Sequence, residues 1–350
     1  MHEALAPEDS FRLEVLFSQE LKAVRLDEAS MTLHALTARG EASIALSPNC
    51  RAEKYLRLVR EQLSGYALGS PGGYPVYLTR WTRHGQVEGL NLGKLLLTGE
   101  PEAVLAVVHS PALTDELARY AWWAMPTIEN ARLMLRRAAV ARGAMGPVLG
   151  DFLVEHLPFL QDDHVAIMDT VAVLIHSGAV DSTRLEAVWK RGKRANSHYV
   201  AFLELAAGAL PQPLAAHAEH ATVRAALAEA LAAGHGAALA LERALSAQGQ
   251  TFLAAAQDIL ERPETQEVVT RVLNAIGRYF AGDAPWRDAP ACDTCQPWAA
   301  RLEAVARLAA CDETGVKPIF ARSTAIGSLM RRKIQPVVAP LLSDIRLLRG

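Results

Sequence analysis

The sequence predicts a mainly α protein: stacked helical pairs, as an α-solenoid-like or irregular helical array, behind a small N-terminal α+β cap. Three observations predict it. Apolar residues make up 51% of the chain but aromatics only 6%, so alanine and leucine, both good helix formers, carry the apolar content. From about Asn91 onward the apolar residues recur with a helical period. Before that point, short stretches alternate apolar and polar residues as half-buried strands do.

Taken in order, Val24-Arg25-Leu26, Met31 to Thr37 and Glu41 to Leu46 read as strands, with a hairpin turn at Arg39-Gly40. Residues 51–64 read as a helix with Tyr55, Leu56, Val59 and Leu63 on one face, Asn49 as its cap and Gly65 as its stop. Gly69 to Pro75, rich in glycine and proline, reads as a loop. Pro101 to His109 forms a helix with proline in the first turn, and Thr114 caps the next. Glu100 to Trp123 thus looks like one helix–turn–helix unit, although no strict sequence period recurs. Thr127 opens a longer helix that stops at Gly143. Another runs from Asp163 to Ser177-Gly178 with Val165, Met168, Val171, Leu174 and Ile175 inward, and Val268 to Phe280 repeats the pattern. The alanine-rich stretch Ala215 to Ala256 allows close helix approach, and Asp283 to Pro297, with its prolines, reads as an exposed loop. The expected organisation is a cap over 1–85, a helical array over 86–285, and C-terminal helices with a basic tail over 286–350.

A net charge of −2 gives no global attraction to nucleic acid or anionic lipid. Met1-His2-Glu3 leads into Glu8, Asp9 and Glu14 rather than a basic start and an apolar stretch, so export is not expected. No apolar run reaches the ~18 residues of a spanning helix. Four cysteines in 350 residues fit a reducing cytoplasm better than a disulfide scaffold. Gly89 to Leu95 is one residue short of a phosphate loop and has Leu95 in place of the magnesium-binding hydroxyl, so no nucleotide cofactor is expected. No other cofactor is expected either.

The strongest chemical motif is Cys292-Asp293-Thr294-Cys295, with Cys311 further on. Two thiols so spaced can form a disulfide, share a metal or stabilise a thiolate; they can equally be incidental loop cysteines. Zinc would need a fourth ligand from upstream, and whether metal binds stays open. His217 and His220 lie one helical turn apart without an acidic partner motif, and Asp162-Asp163-His164 reads as a helix start. Two basic features complete the candidates. Arg80, Trp81 and Arg83 follow the loop that contains Gly72, Gly73 and Tyr74. The tail from Val316 carries seven Lys/Arg against one acid, including Arg331, Arg332 and Lys333. Such a patch suits an acidic protein partner or, less well, RNA; a solvated helix face is the plain alternative.

The stretch LGSPGGYPVYLTRWTR (residues 68–83) resembles the signature of the DsrS proteins, as do GEPEAV (99–104), LTDELAR (113–119) and AWWAMPT (121–127). The likeness extends through Tyr279-Phe280 and is weaker in the alanine-rich stretch. DsrS proteins are encoded with the reverse-type dissimilatory sulfite reductase system of sulfur-oxidising bacteria. The resemblance implies a cytoplasmic accessory protein, scaffold or regulator, without catalysis of its own, whose partners are proteins of the sulfur-oxidation machinery. No catalytic residues carry over. The alternative is a protein that handles sulfane sulfur at Cys292 and Cys295.

Overall fold

The computed structural model describes residues 4–69, 92–282 and 297–350. The chain is mainly α, with a small three-stranded antiparallel sheet near the N-terminus, as its sequence predicts. It divides into two compact units, Met1–Leu153 and Val154–Gly350.

The first unit opens with α1 (Pro7–Phe17), a helix not anticipated from the sequence. Proline in its first turn and the acids Glu8 and Asp9 there suit a helix N-terminus. Its apolar pattern is blurred because Phe11 and Val15 face outward while Leu13 and Leu16 are buried. The sheet follows in the order β1 (Leu21–Asp27), β2 (Thr32–Thr37), β3 (Gly40–Ala45). The register pairs Val24 with Ala35 and Leu33 with Ile44. The hairpin closes at Thr37 and Gly40, whose φ of 127° demands glycine. Leu13, Val24, Leu33, Tyr55, Val59 and Leu63 form one buried cluster between sheet and helices.

Helix α2 (Ala52–Leu68) does not stop at Gly65 but runs on to Gly69, which adopts the left-handed conformation. Nor does Asn49 cap it; Arg51 occupies the cap without a side-chain bond, and the Asn49 amide donates to the Ala4 carbonyl. The expected loop at 70–75 lies outside the described residues.

The remaining helices of this unit are α3 (Leu92–Leu95), α4 (Pro101–His109), α5 (Asp115–Ala124), α6 (Ile128–Leu135), α7 (Ala138–Ala141) and the first part of α8 (Met145–His156), whose residues from Val154 on belong to the second unit. Helix α4 keeps its expected bounds and α5 starts after its expected cap, with the Thr114 and Thr127 side chains accepting from the Leu117 and Asn130 amides. The single helix expected between Thr127 and Gly143 is broken at Arg136-Arg137, where Arg137 donates to the His109 carbonyl at 2.7 Å. Gly143 is a true boundary: an added Cβ would strike the Asp115 carboxylate, which accepts from the Ala144 and Met145 amides at the start of α8.

In the second unit, α9 (His164–Ser177) starts at the Asp163 cap and ends at left-handed Gly178. Val165, expected inward, is 43% exposed; Met168, Val171 and Leu174 are buried. Asp181 caps α10 (Ser182–Arg191). Helix α11 (Ser197–Leu205) is buried along nearly its whole length. Its orphan N–H groups are met from elsewhere: Glu264 accepts from the Asn196 and Ser197 amides, both at 2.9 Å. The alanine-rich stretch forms α12 (His220–Ala226), α13 (Ala228–Ala232), α14 (Gly236–Leu245) and α15 (Ala247–Glu261). There follow α16 (Gln266–Ala281), α17 (Ala299–Ala309), α18 (Lys317–Phe320) and α19 (Gly327–Arg349). Helix α16 packs on α11, α15 and α17, and α19 on α15 and α17. The expected loop from Asp283 lies, up to residue 296, outside the described residues.

Candidate interaction surface

Helix α19 has a clean buried stripe of Met330, Ile334, Val338, Leu341, Ile345 and Leu348, spaced four or three apart. Asp344 sits in that stripe and accepts both arms of the Arg307 guanidinium from α17, at 2.6 and 2.9 Å. Pro336 and Pro340 lie inside the helix but on its exposed side. The carbonyls they leave without an intrahelical donor are those of Arg332 and Pro336, which water can reach there.

Between α15 and α19 runs a groove of about 390 Å³. Leu260, Ile334, Val338 and Leu342 supply its apolar lining, and Arg331, Arg332, Gln335 and Arg346 its polar edge, with Glu261 opposite. Arg346 is paired with Glu261 at 2.9 Å. Arg331 and Arg332 are exposed and have no ion-pair partner among the described residues. The first turn of α19 has no acidic residue, so the helix's positive end adds to their charge. Lys333 does not line the groove; its ammonium donates to the Ser323 hydroxyl at 2.8 Å. Gln335 and Arg346 were not singled out from the sequence, although residues 331, 335, 338, 342 and 346 follow one helical face. The contribution of Leu260 and Glu261 on α15 had no signal there.

The other candidates fall out as follows. Cys292 and Cys295, and Gly72, Gly73, Tyr74, Arg80, Trp81 and Arg83, lie outside the described residues. Cys311 is a free thiol at the end of α17, and burial pushes it up to about 12, with Asp312 adding to the effect. A Cβ on Gly277 would run into the Cys311 carbonyl, so α16 passes the Cys311 backbone with no room to spare. Cys50, also free, packs against the first unit's apolar cluster. His217 accepts from the Glu219 amide, whereas His220 pairs with Glu242 at 2.9 Å. Among the described residues no three His, Cys, Asp or Glu side chains gather as metal ligands.

His164, Glu264 and Ser197 meet in a cluster with the components of a nucleophile–base–acid set. His164 Nδ1 lies 3.1 Å from a Glu264 oxygen and 3.3 Å from Ser197 Oγ. Both neighbours share one ring nitrogen, however, whereas a relay needs the acid on one nitrogen and the nucleophile on the other. With Ser197 wholly buried, this cluster is the cap of α11 rather than a reaction centre. A cavity of about 440 Å³ beside α16 is lined by Met168, Thr270, Arg271, Glu313, Lys317 and Phe320 among others. Its Arg271 and Glu313 are already engaged, by Glu204 and Asp169 and by Asn274. In comparisons with protein-family models, curated proteins and solved structures, nothing matches this chain.

Proposed function

We propose that this chain is a cytoplasmic accessory protein of bacterial sulfur oxidation, without catalysis of its own, that docks an acidic segment of a partner protein in the groove between α15 and α19. The observation that carries the docking is the pair of guanidiniums, Arg331 and Arg332, unpartnered among the described residues, at the edge of an apolar-lined groove. Guanidiniums bind carboxylates bidentately, and the lining of Leu260, Ile334, Val338 and Leu342 takes apolar side chains. That lining favours a peptide over RNA, whose phosphates would need a longer basic track. The DsrS-like motifs support the pathway. Cys311, held protonated, adds nothing to the alternative of sulfur handling at Cys292 and Cys295.

The test is a deletion strain oxidising reduced sulfur, complemented with the wild type or with Arg331→Glu/Arg332→Glu. The wild type should restore oxidation and the charge reversal should not, with the helical circular dichroism of both unchanged. Full rescue by the reversal would remove the groove from the function, and unimpaired oxidation in the deletion strain would remove the pathway. Rescue by Cys292→Ser/Cys295→Ser is expected as well; its failure would favour the thiol reading.

A further inference from the structure

A separate cavity of about 430 Å³ lies between α10, α11 and α15. Trp189 of α10 and Tyr199 of α11 line it, their rings tilted by 57° with centroids 4.4 Å apart. Both residues are nearly buried, at 7% and 6% exposed. Yet neither the Trp189 indole N–H nor the Tyr199 hydroxyl has a hydrogen-bond partner among the described residues. Neither is among the polar atoms sealed away without a partner, so both still reach solvent. Both residues line the cavity, and buried tryptophan and tyrosine normally give their donors an acceptor.

The surroundings are built to hold this shape. Gly192, between the two rings in sequence, has no room for a Cβ because it would run into the Tyr199 ring. The segment opposite is pinned to α15 on both sides: Leu210 N donates to Gln248 and Leu214 N to Thr251, each at 2.8 Å. Between those anchors Gln212 adopts a left-handed φ of 53°, a strained conformation for a residue with a side chain. Its amide donates to Glu186 at 2.9 Å, and the residue itself lines the cavity.

Charge selects the ligand. Lys193 is exposed, lines the cavity and is unpaired among the described residues, while Arg262, just past the end of α15, pairs with Asp258 one turn back on that helix. The lining is thus one positive charge in excess. Burial raises the Tyr199 phenol above its usual range, and nearby Asp258 raises it further, against Arg262, so the hydroxyl keeps its proton. Leu214, Ala254 and Ala255 supply an apolar wall.

We infer that this cavity binds a small organic anion, its oxyanion head taken by Lys193 and the Tyr199 and Trp189 donors and its apolar body lying against Leu214, Ala254 and Ala255. The volume falls within the range of roughly 300–1,000 Å³ usual for small-molecule sites. The test is calorimetric titration of the full chain with benzoate, benzenesulfonate and phenyl phosphate, with neutral benzyl alcohol as control. At least one anion should bind saturably at one site while the alcohol does not, and the preferred anion identifies the head group. Lys193→Met and Tyr199→Phe should each weaken that binding by about tenfold or more, since each removes a bond to a charged group. Phenylalanine keeps the ring against Trp189, so the second variant separates donor loss from misfolding. Arg331→Glu/Arg332→Glu, at the other groove, should leave the titration unchanged. No saturable anion binding, equal binding of the alcohol, or undiminished binding by both single variants would overturn the inference.

Discussion

In the first unit a fully buried carboxylate, Asp9, is met mostly by neutral donors; in the second a guanidinium, Arg271, is met by two carboxylates. Asp9 accepts from the Tyr55 hydroxyl at 2.5 Å and the Ser47 amide at 2.7 Å, while Arg12 stands off at 3.4 Å. Arg271 holds Glu204 with two bonds, at 2.5 and 3.0 Å, and Asp169 with a third at 2.9 Å. Asp9 is stabilised by short dipoles that the fold around α1 and α2 already fixes. Arg271 instead holds together three helices, α9, α11 and α16, through charge. Removing one partner therefore has different consequences in the two units: an orphaned donor in one, uncompensated charge in the other.

The largest expected effect follows from Arg271→Met. Glu204, whose side chain is 13% exposed, would keep only Arg278, at 3.9 Å, among the described residues. A loss of about 3 kcal/mol in urea unfolding is expected, at the low end for broken buried pairs because Arg271 still touches solvent. A loss below about 1 kcal/mol would mean that the carboxylates relax outward and the contrast fails. Tyr55→Phe should cost less, about 2 kcal/mol, by depriving Asp9 of its short bond and the Ala6 amide of its acceptor. If it matched or exceeded Arg271→Met, neutral donors would be the stronger anchor and the comparison would reverse.

A pH series sharpens the picture in the second unit. His198 is buried and its Nδ1 faces the Ala195 carbonyl at 3.0 Å, leaving Nε2 without a partner. Burial, chiefly, holds this imidazole below its usual 6.5, with Arg191 and His164 acting in the same direction and Ala195 and Glu264 opposing. The unfolded chain thus takes up the proton more readily. Stability is full above about pH 6.5 and declines as pH falls through the lower folded value. Unfolding free energies measured between pH 7.5 and 5 should show this decline, and His198→Gln should flatten it. An unchanged slope in the variant would assign the acid sensitivity elsewhere. The smallest effect is kinetic: at pH 8.5 iodoacetamide should label Cys311 far more slowly than a free thiol, because burial pushes its thiol up to about 12. Labelling at the free-thiol rate would show that this corner opens readily.

What could be read from the sequence is what local chemistry decides. Thr114, Thr127, Asp163 and Gly178 mark helix ends because each cap acts on a backbone group within a few residues. Gly65 misled for the complementary reason: a glycine inside a helix costs only about 1 kcal/mol, which the packing of Leu63 and Ala67 on either side outweighs. The cap of α11 could not be read, because Glu264 lies 67 residues from the Ser197 amide it serves. The carboxylates on Arg271 are as remote, 67 and 102 residues away. The same holds for the sites. Arg331 and Arg332 were visible as charge, but the groove exists only because α15 lies alongside. Nor does any local pattern around Trp189 and Tyr199 say that their polar atoms are left without acceptors among the described residues.

The guanidinium of Arg271 also has a bearing on motion. Helices α9, α11 and α16 share this one cation, so none can swing away from the others without severing part of the same ionic cluster. Amide exchange in the three helices should then report one common opening free energy, as in a single cooperative folding unit. A ligand entering beside α11 would meet a wall that yields as a block or not at all.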